Sequence, residues 1–355
     1  MIARSLSVFL FSVLLAACKQ SPPATEAKKA EEPPAKATQT AAADPAGADA
    51  STASAPGKSD PACIGPIGPG PTETVVVGDR TFVRSGHQLR LQAEVEGEPE
   101  HVIGVLANLN AHNPDNLFNL RRYLAFFEKA GVELVLVAGD IGEDPQTIER
   151  NLAAVAEAKV PVLAIAGNRE KTADFVAAVE KARAKRPNLL SGHAIRQLTL
   201  PGLDVITLPG YHDPRYMHAE DGAGCRYFKE DVEAVRQLAA ASDRPVLLVA
   251  HGQPKGTTPN ALDVIAPDKE HIGDENLNAA IEGAKIAFGI FANVKEAGGK
   301  AIADLAGTRL VEPGAWSETL FLNPGPADAL PWTMHDGTTS YGMAAVLRVK
   351  GKQAS

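Results

Sequence analysis

Val132-Glu133-Leu134-Val135-Leu136-Val137-Ala138-Gly139-Asp140 is the stretch from which the rest of the chain is read. Its apolar, β-branched run is too short for a buried helix and stops at a Gly-Asp pair. That pattern describes a strand covered on both faces, with a carboxylate at its carboxyl end. It recurs on both sides. Val102 to Ala107 runs into Asn108-Leu109-Asn110-Ala111-His112, and Val160 to Ala166 into Gly167-Asn168-Arg169-Glu170. Val246 to Ala250 leads to His251-Gly252, and Leu320 to Leu322 to Asn323-Pro324-Gly325. Lys285 to Phe291 leads to Ala292-Asn293-Val294-Lys295-Glu296-Ala297-Gly298-Gly299. Between the strands lie helical patterns. Asn116 to Lys129 has Leu117, Leu120, Leu124 and Phe127 at helical spacing, and others cover 145–158, 172–184, 230–241 and 274–282. Strands alternating with helices predict a layered α/β domain, and ligands in such sheets gather at the carboxyl ends of strands.

Further out, Thr74–Val77 and Arg80–Arg84 flank Gly78-Asp79 as a hairpin, and Gln88–Val95 adds a strand. Val205–Leu208, Thr319–Leu322 and Met343–Lys350 are strand-like too. Short strands near both ends predict a pair of mixed sheets rather than one parallel sheet. Tyr211-His212-Asp213-Pro214 follows a strand and reads either as part of the same mouth or as an Asx turn. Trp332, His335 and Asp336 lie in a Gly/Pro-rich segment without a clear signal.

The order of these strand-end motifs from Val102 to Lys350 resembles the calcineurin-like metallophosphoesterases. Their pattern runs DxH, GD, GNH, a His after a strand, then GHxH, with an NPG turn following. The resemblance implies a calcineurin-like α/β fold, with mixed β-sheets sandwiched between helices. It also implies two divalent cations about 3.5–4 Å apart that activate a water and hold a phosphate. By the same resemblance Asp140 is the carboxylate bridging both metals, and Asn168 and His251 hold the second. Read singly, Asp140 could equally be a helix cap, His251 an ordinary loop histidine, and Arg169 and Lys295 solvated charges.

The departures from the family decide the expected function. Arg169 stands at the GNH histidine, Asn293 where a His binds the second metal, and Lys295 where a His binds the first. Two registers fit the first motif. Asn108-Leu109-Asn110, directly after the strand, loses both ligands; Asn110-Ala111-His112 keeps the imidazole. Amides are poor ligands for transition metals, and a fixed ammonium repels a metal and can neutralise Asp140 itself. The expectation is a pseudo-enzyme in which the Lys295–Asp140 pair replaces the metal, with Arg169 and Lys295 lining a cationic cleft open to phosphate or another anion. No metal cofactor is expected. The alternative is a hydrolase with a reduced, one-metal site using Mn, Fe or Zn, and a third reading is a structural envelope protein.

The ends of the chain concern location. Arg4, an uncharged apolar run from Leu6 to Ala17 and the closing Leu15-Ala16-Ala17-Cys18 read as a signal peptide over residues 1–17. The closing residues resemble a lipobox, with Cys18 lipidated to give a membrane anchor; simple cleavage after Ala17 is the other reading. Lys19 after the Cys points by resemblance to the outer membrane, on its periplasmic or surface face. Residues 18–71 are rich in Ala, Pro, Lys and Glu and read as a disordered tether, leaving 72–355 as the domain. Net charge is -8 with no basic run after the signal, which argues against nucleic acid as a partner and leaves an envelope protein open. Cys63 and Cys225 remain as a disulfide candidate in an oxidising compartment.

Overall fold

The computed structural model of the protein describes residues 63–93, 97–219, 222–266 and 269–355. The signal peptide, Cys18 and the tether up to residue 62 lie outside the described residues. In chain order, β1 (Thr72–Val77), β2 (Arg80–Ser85) and β3 (Gln88–Leu91) precede β4 (Glu100–Leu106) and α1 (Pro114–Ala130). β5 (Leu134–Ala138), α2 (Pro145–Val155), β6 (Val162–Ile165), α3 (Thr172–Lys185) and β7 (Leu189–Ser191) follow. Next come β8 (Gln197–Leu200), β9 (Leu203–Leu208), α4 (Lys229–Ala240), β10 (Val246–Ala250) and α5 (Glu275–Ala284). The chain closes with β11 (Phe288–Ile290), β12 (Ala301–Ile302), β13 (Leu320–Leu322), β14 (Trp332–Thr333), β15 (Thr339–Ser340), β16 (Ala345–Lys350) and β17 (Gln353–Ala354).

These strands make two large mixed sheets. One runs β1-β2-β3-β8-β9-β10-β11-β13-β12 and the other β17-β16-β4-β5-β6-β7. Their centres are parallel, β9-β10-β11-β13 in the first and β4-β5-β6-β7 in the second. Alternation along β5 shows why the layers stack. Leu134, Leu136 and Ala138 join Phe82, Val205, Val249 and Ile290 in the core between the sheets. Val135 and Val137 face the other way, onto Leu120, Ile148, Leu152 and Phe175 of α1, α2 and α3. On the far side, Val235, Leu238, Leu277 and Ile281 of α4 and α5 cover Ile206 and Leu248. Burial of one such side chain is worth about 1.5–3 kcal/mol. The result is an α/β fold of helices, sheet, sheet and helices, the layering that the resemblance implies.

Some boundaries move. β3 stops at Leu91 rather than running to Val95, and residues 94–96 lie outside the described residues. Lys285 does not start a strand: it caps α5 in the left-handed region (φ 55°), and β11 begins at Phe288. Helix starts are set by side-chain oxygens, Asn113 accepting from Asn116 N before α1 and Asp144 from Gln146 N and Thr147 N before α2, each with Pro at the first helical position. Residues 63–71, read from composition as the end of the tether, lie along the domain. Gly65 N donates to His193 O, and Gly68 N to His87 Nδ1.

Candidate metal centre and its substitutions

The parallel strands of both sheets deliver the polar residues to one place. β4 leads to Asn108, β5 to Asp140, β6 to Asn168, β10 to His251, and β11 to Asn293 and Lys295. Backbone conformation there is costly. Asn108 (φ 53°), Asn110 (φ 54°) and Asp140 (φ 56°) occupy the left-handed region, which few non-glycine residues adopt without a compensating role. Two glycines let the loops close on each other. A Cβ on Gly139 would lie 2.5 Å from His251 Nδ1, and one on Gly167 would lie 2.5 Å from Asp140 Oδ1.

Asp140 is 1% exposed and its two carboxylate oxygens have different neighbours. Oδ2 receives two cations: Lys295 Nζ at 3.3 Å and Arg169 Nε at 3.2 Å. Arg169 also donates through its Nη1 to the largely exposed Glu143. Oδ1 accepts no hydrogen bond, yet His251 Nε2 stands 3.2 Å away. That imidazole is oriented by its other nitrogen, since Nδ1 donates to the carbonyl of Ala138 at 2.8 Å. Nε2 also faces Asn168 Oδ1 at 3.0 Å, and the amide of Asn168 is held in that sense because its Nδ2 donates to Tyr216 O at 2.5 Å. Nε2 and two oxygens therefore converge. A positive charge there, a second imidazole proton or a metal ion, removes the mutual repulsion. Burial disfavours charge on both groups. Asp140 is nevertheless held far below the carboxylate range by His251, Lys295 and Arg169, and His251 is raised by Asp140.

The remaining predicted residues divide. Asn108 is fully buried and donates from Nδ2 to Ala292 O at 3.0 Å; Asn110 donates to Asp328 Oδ2 at 2.5 Å. Their Oδ1 atoms accept nothing. His112 is engaged elsewhere, its Nδ1 2.9 Å from Asn151 Oδ1 on α2. Asn293 lines the cavity beside the cluster. Cys63 and Cys225 are joined by a disulfide, with 5.1 Å between their Cα atoms.

Two further carboxylates belong to the site. Glu170 is fully buried and ties two loops together, accepting from Ile141 N and from Gly142 N (3.0 Å) through Oε1, and from Gly167 N (2.7 Å) through Oε2. Burial, with the charge of Asp140 beside it, pushes its carboxyl above the usual carboxylate range. Asp328, also buried, accepts from Asn110 and from the indole Nε1 of Trp332 at 2.9 Å. Trp332 in turn carries Lys295 Nζ 5.2 Å from its ring centroid. The site opens into a cavity of about 470 Å³ whose lining includes Asn168, Arg169, Tyr216, Asn293, Lys295 and Trp332.

These residues do not fit a two-metal centre. An ammonium and a guanidinium hold the oxygen that would serve the first ion, and the neighbouring donors are carboxamides. The second position keeps Asp140 Oδ1, Asn168 Oδ1 and His251 Nε2, a set that could hold one cation.

No family model and no curated protein matches the sequence. Solved structures match its fold. One has a TM-score of 0.51 at 14% identity, covering 72% of this chain and 99% of its own. The protein TT1561 of Thermus thermophilus has a TM-score of 0.46 at 12% identity, over 69% of this chain and 99% of its own. A dimetal phosphatase from Danio rerio has a TM-score of 0.42 at 12% identity, over 71% and 96%. At such identities the likeness is one of fold.

Proposed function

We propose that the domain is a metallophosphoesterase-like pseudo-enzyme, in which protein-borne cations replace the bimetallic centre, and that it binds an anion or a partner in the resulting cleft. The reading rests chiefly on one observation: Lys295 Nζ and Arg169 Nε both lie within 3.3 Å of Asp140 Oδ2. A metal bridging at that oxygen would face two fixed positive charges. With Asp140 already neutralised, the guanidinium and the ammonium are left with donor capacity for an incoming phosphate. In the same proposal, lipidated Cys18 anchors the chain to the cell envelope, at the outer membrane. The lipobox-like Leu15-Ala16-Ala17-Cys18 supports this.

A second reading, a one-metal phosphoesterase, is favoured by the lone Oδ1 of Asp140 facing His251 and Asn168. Asp140, Asn168 and His251 would hold the ion, and a bound Mn, Fe or Zn would act as a Lewis acid on a phosphoryl oxygen. Metal analysis of the purified chain, paired with hydrolysis of a generic phosphodiester, separates the two. The pseudo-enzyme reading expects substoichiometric metal and no turnover. One metal per chain with turnover that Asp140→Ala abolishes would establish the hydrolase instead.

A further inference from the structure

A second cavity, about 1030 Å³, lies next to the one over Asp140 and shares Trp332 with it. Its walls mix apolar side chains such as Val311 and Met334 with six ionisable ones: Lys269, Glu296, Lys300, Glu312, His335 and Asp336. Two of these touch, Lys300 Nζ lying 2.8 Å from His335 Nδ1. Backbone hydrogen bonds set both residues. Asn323 N donates to Lys300 O at 2.9 Å where β12 begins beside β13, and His335 N donates to Glu296 O at 3.0 Å just after β14.

The partner is unusual for a lysine. Lys159 and Lys255 lie 2.7 and 2.6 Å from the carboxylates of Glu128 and Glu275. Among the described residues Lys300 makes no ion pair, and its one hydrogen bond goes to the imidazole. Asp336, next to His335 in the chain, accepts instead from Thr338 N at 2.9 Å and Thr338 Oγ1 at 2.6 Å. An ammonium can only donate, so His335 Nδ1 accepts and Nε2 carries the ring proton. Burial holds the half-buried Lys300 below the usual lysine range despite the charge of Asp336, and it lowers His335 as well. An amine without a counter-ion, set against a neutral imidazole in an open cavity, has what a lysine nucleophile needs.

We propose that Lys300 is a covalent capture site for uncharged aldehydes, with His335 moving the protons. The amine lone pair attacks the carbonyl carbon, a C–N bond forms and the π pair moves onto oxygen. His335 Nδ1 takes a proton from the nitrogen and delivers it to that oxygen. The second N–H proton leaves with the oxygen as water, and a C=N bond remains. The step needs no oxidant or reductant. The walls select an uncharged compound, because two lysines there face three carboxylates and an anionic aldehyde gains no net counter-charge. The proposal goes beyond the reading of the Asp140 cleft and does not depend on it.

The test treats the full chain near neutral pH with limiting propanal and cyanoborohydride, which reduces the imine to a stable secondary amine. Peptide mass spectrometry then reads the modification of each lysine, with the exposed Lys352 as the internal reference. Lys300 is expected to be propylated about tenfold faster than Lys352, and to reach half its limiting rate at a lower pH. With the anionic aldehyde glyoxylate the ratio of the two rates should fall about threefold. His335→Asn should lower the propanal ratio about threefold and leave Lys352 unchanged. Modification of Lys300 no faster than that of Lys352 would overturn the proposal, a result that needs no variant to fold. A ratio unchanged in His335→Asn would overturn the role of the imidazole, and a glyoxylate ratio equal to that of propanal would overturn the selection of an uncharged ligand.

Discussion

Two cations share one carboxylate oxygen at the centre of this protein, and the arrangement is nearly closed to water: the Lys295 side chain is 8% exposed and that of Asp140 1%. Burying such a pair costs desolvation energy, and taking away one partner strands the other. Asp140→Asn strands the Lys295 ammonium and is therefore expected to cost about 3–5 kcal/mol in denaturant unfolding, and adding Lys295→Met to that variant should recover part of the loss by removing the stranded charge. A double variant no more stable than Asp140→Asn would mean that the two side chains do not act as a pair. At this scale the sequence was legible where a polar residue directly follows an apolar strand, as at Asp140, Asn168 and His251. Glu170 and Asp328 escaped. Glu170 matters through amides of a different loop, and Asp328 lies beyond Asn323 in a segment with no strand to mark its direction. His112 carried a ligand's chemistry, but its ring is engaged by Asn151.

At the scale of elements, the central strands and the five α-helices among the described residues could be read from periodicity because each buries an apolar stripe. β7 and β8 were missed: one is three residues long, and the other alternates within Gln197-Leu198-Thr199-Leu200 before a Pro-Gly turn. The turn after β7 holds His193 in a fully buried position, stacked on Phe175 at 4.4 Å and accepting from Ala166 N through Nε2. Burial drives this imidazole down to about 3. The folded state thus refuses a proton that the unfolded chain takes up near pH 6.5. Its contribution to stability is complete above that pH and is lost as pH falls toward 3. Between about pH 6.5 and 5, where most carboxylates remain ionised, stability should fall with a slope approaching about 1.4 kcal/mol per pH unit from this group. Denaturant unfolding of His193→Asn across that range should show a shallower slope than wild type; parallel slopes would contradict the buried, neutral histidine.

For the whole molecule, the disulfide between Cys63 and Cys225 spans 162 residues and fastens the start of the described chain to the loop that precedes α4. Replacing both cysteines with Ser is expected to lower unfolding free energy by about 2–5 kcal/mol in non-reducing buffer. No change would mean that the hydrogen bonds of Gly65 and Gly68 already hold the segment. The two mixed sheets bring loops from several strands onto one cleft, and in the proposed reading the charges placed there keep a metal ion off Asp140 Oδ2. A crystal grown with excess Mn²⁺ and analysed by anomalous scattering tests this directly. The expected result is no ion on Asp140 Oδ2, with Lys295 Nζ still in contact with it. Two ions bridged by Asp140, with Lys295 displaced, would contradict it.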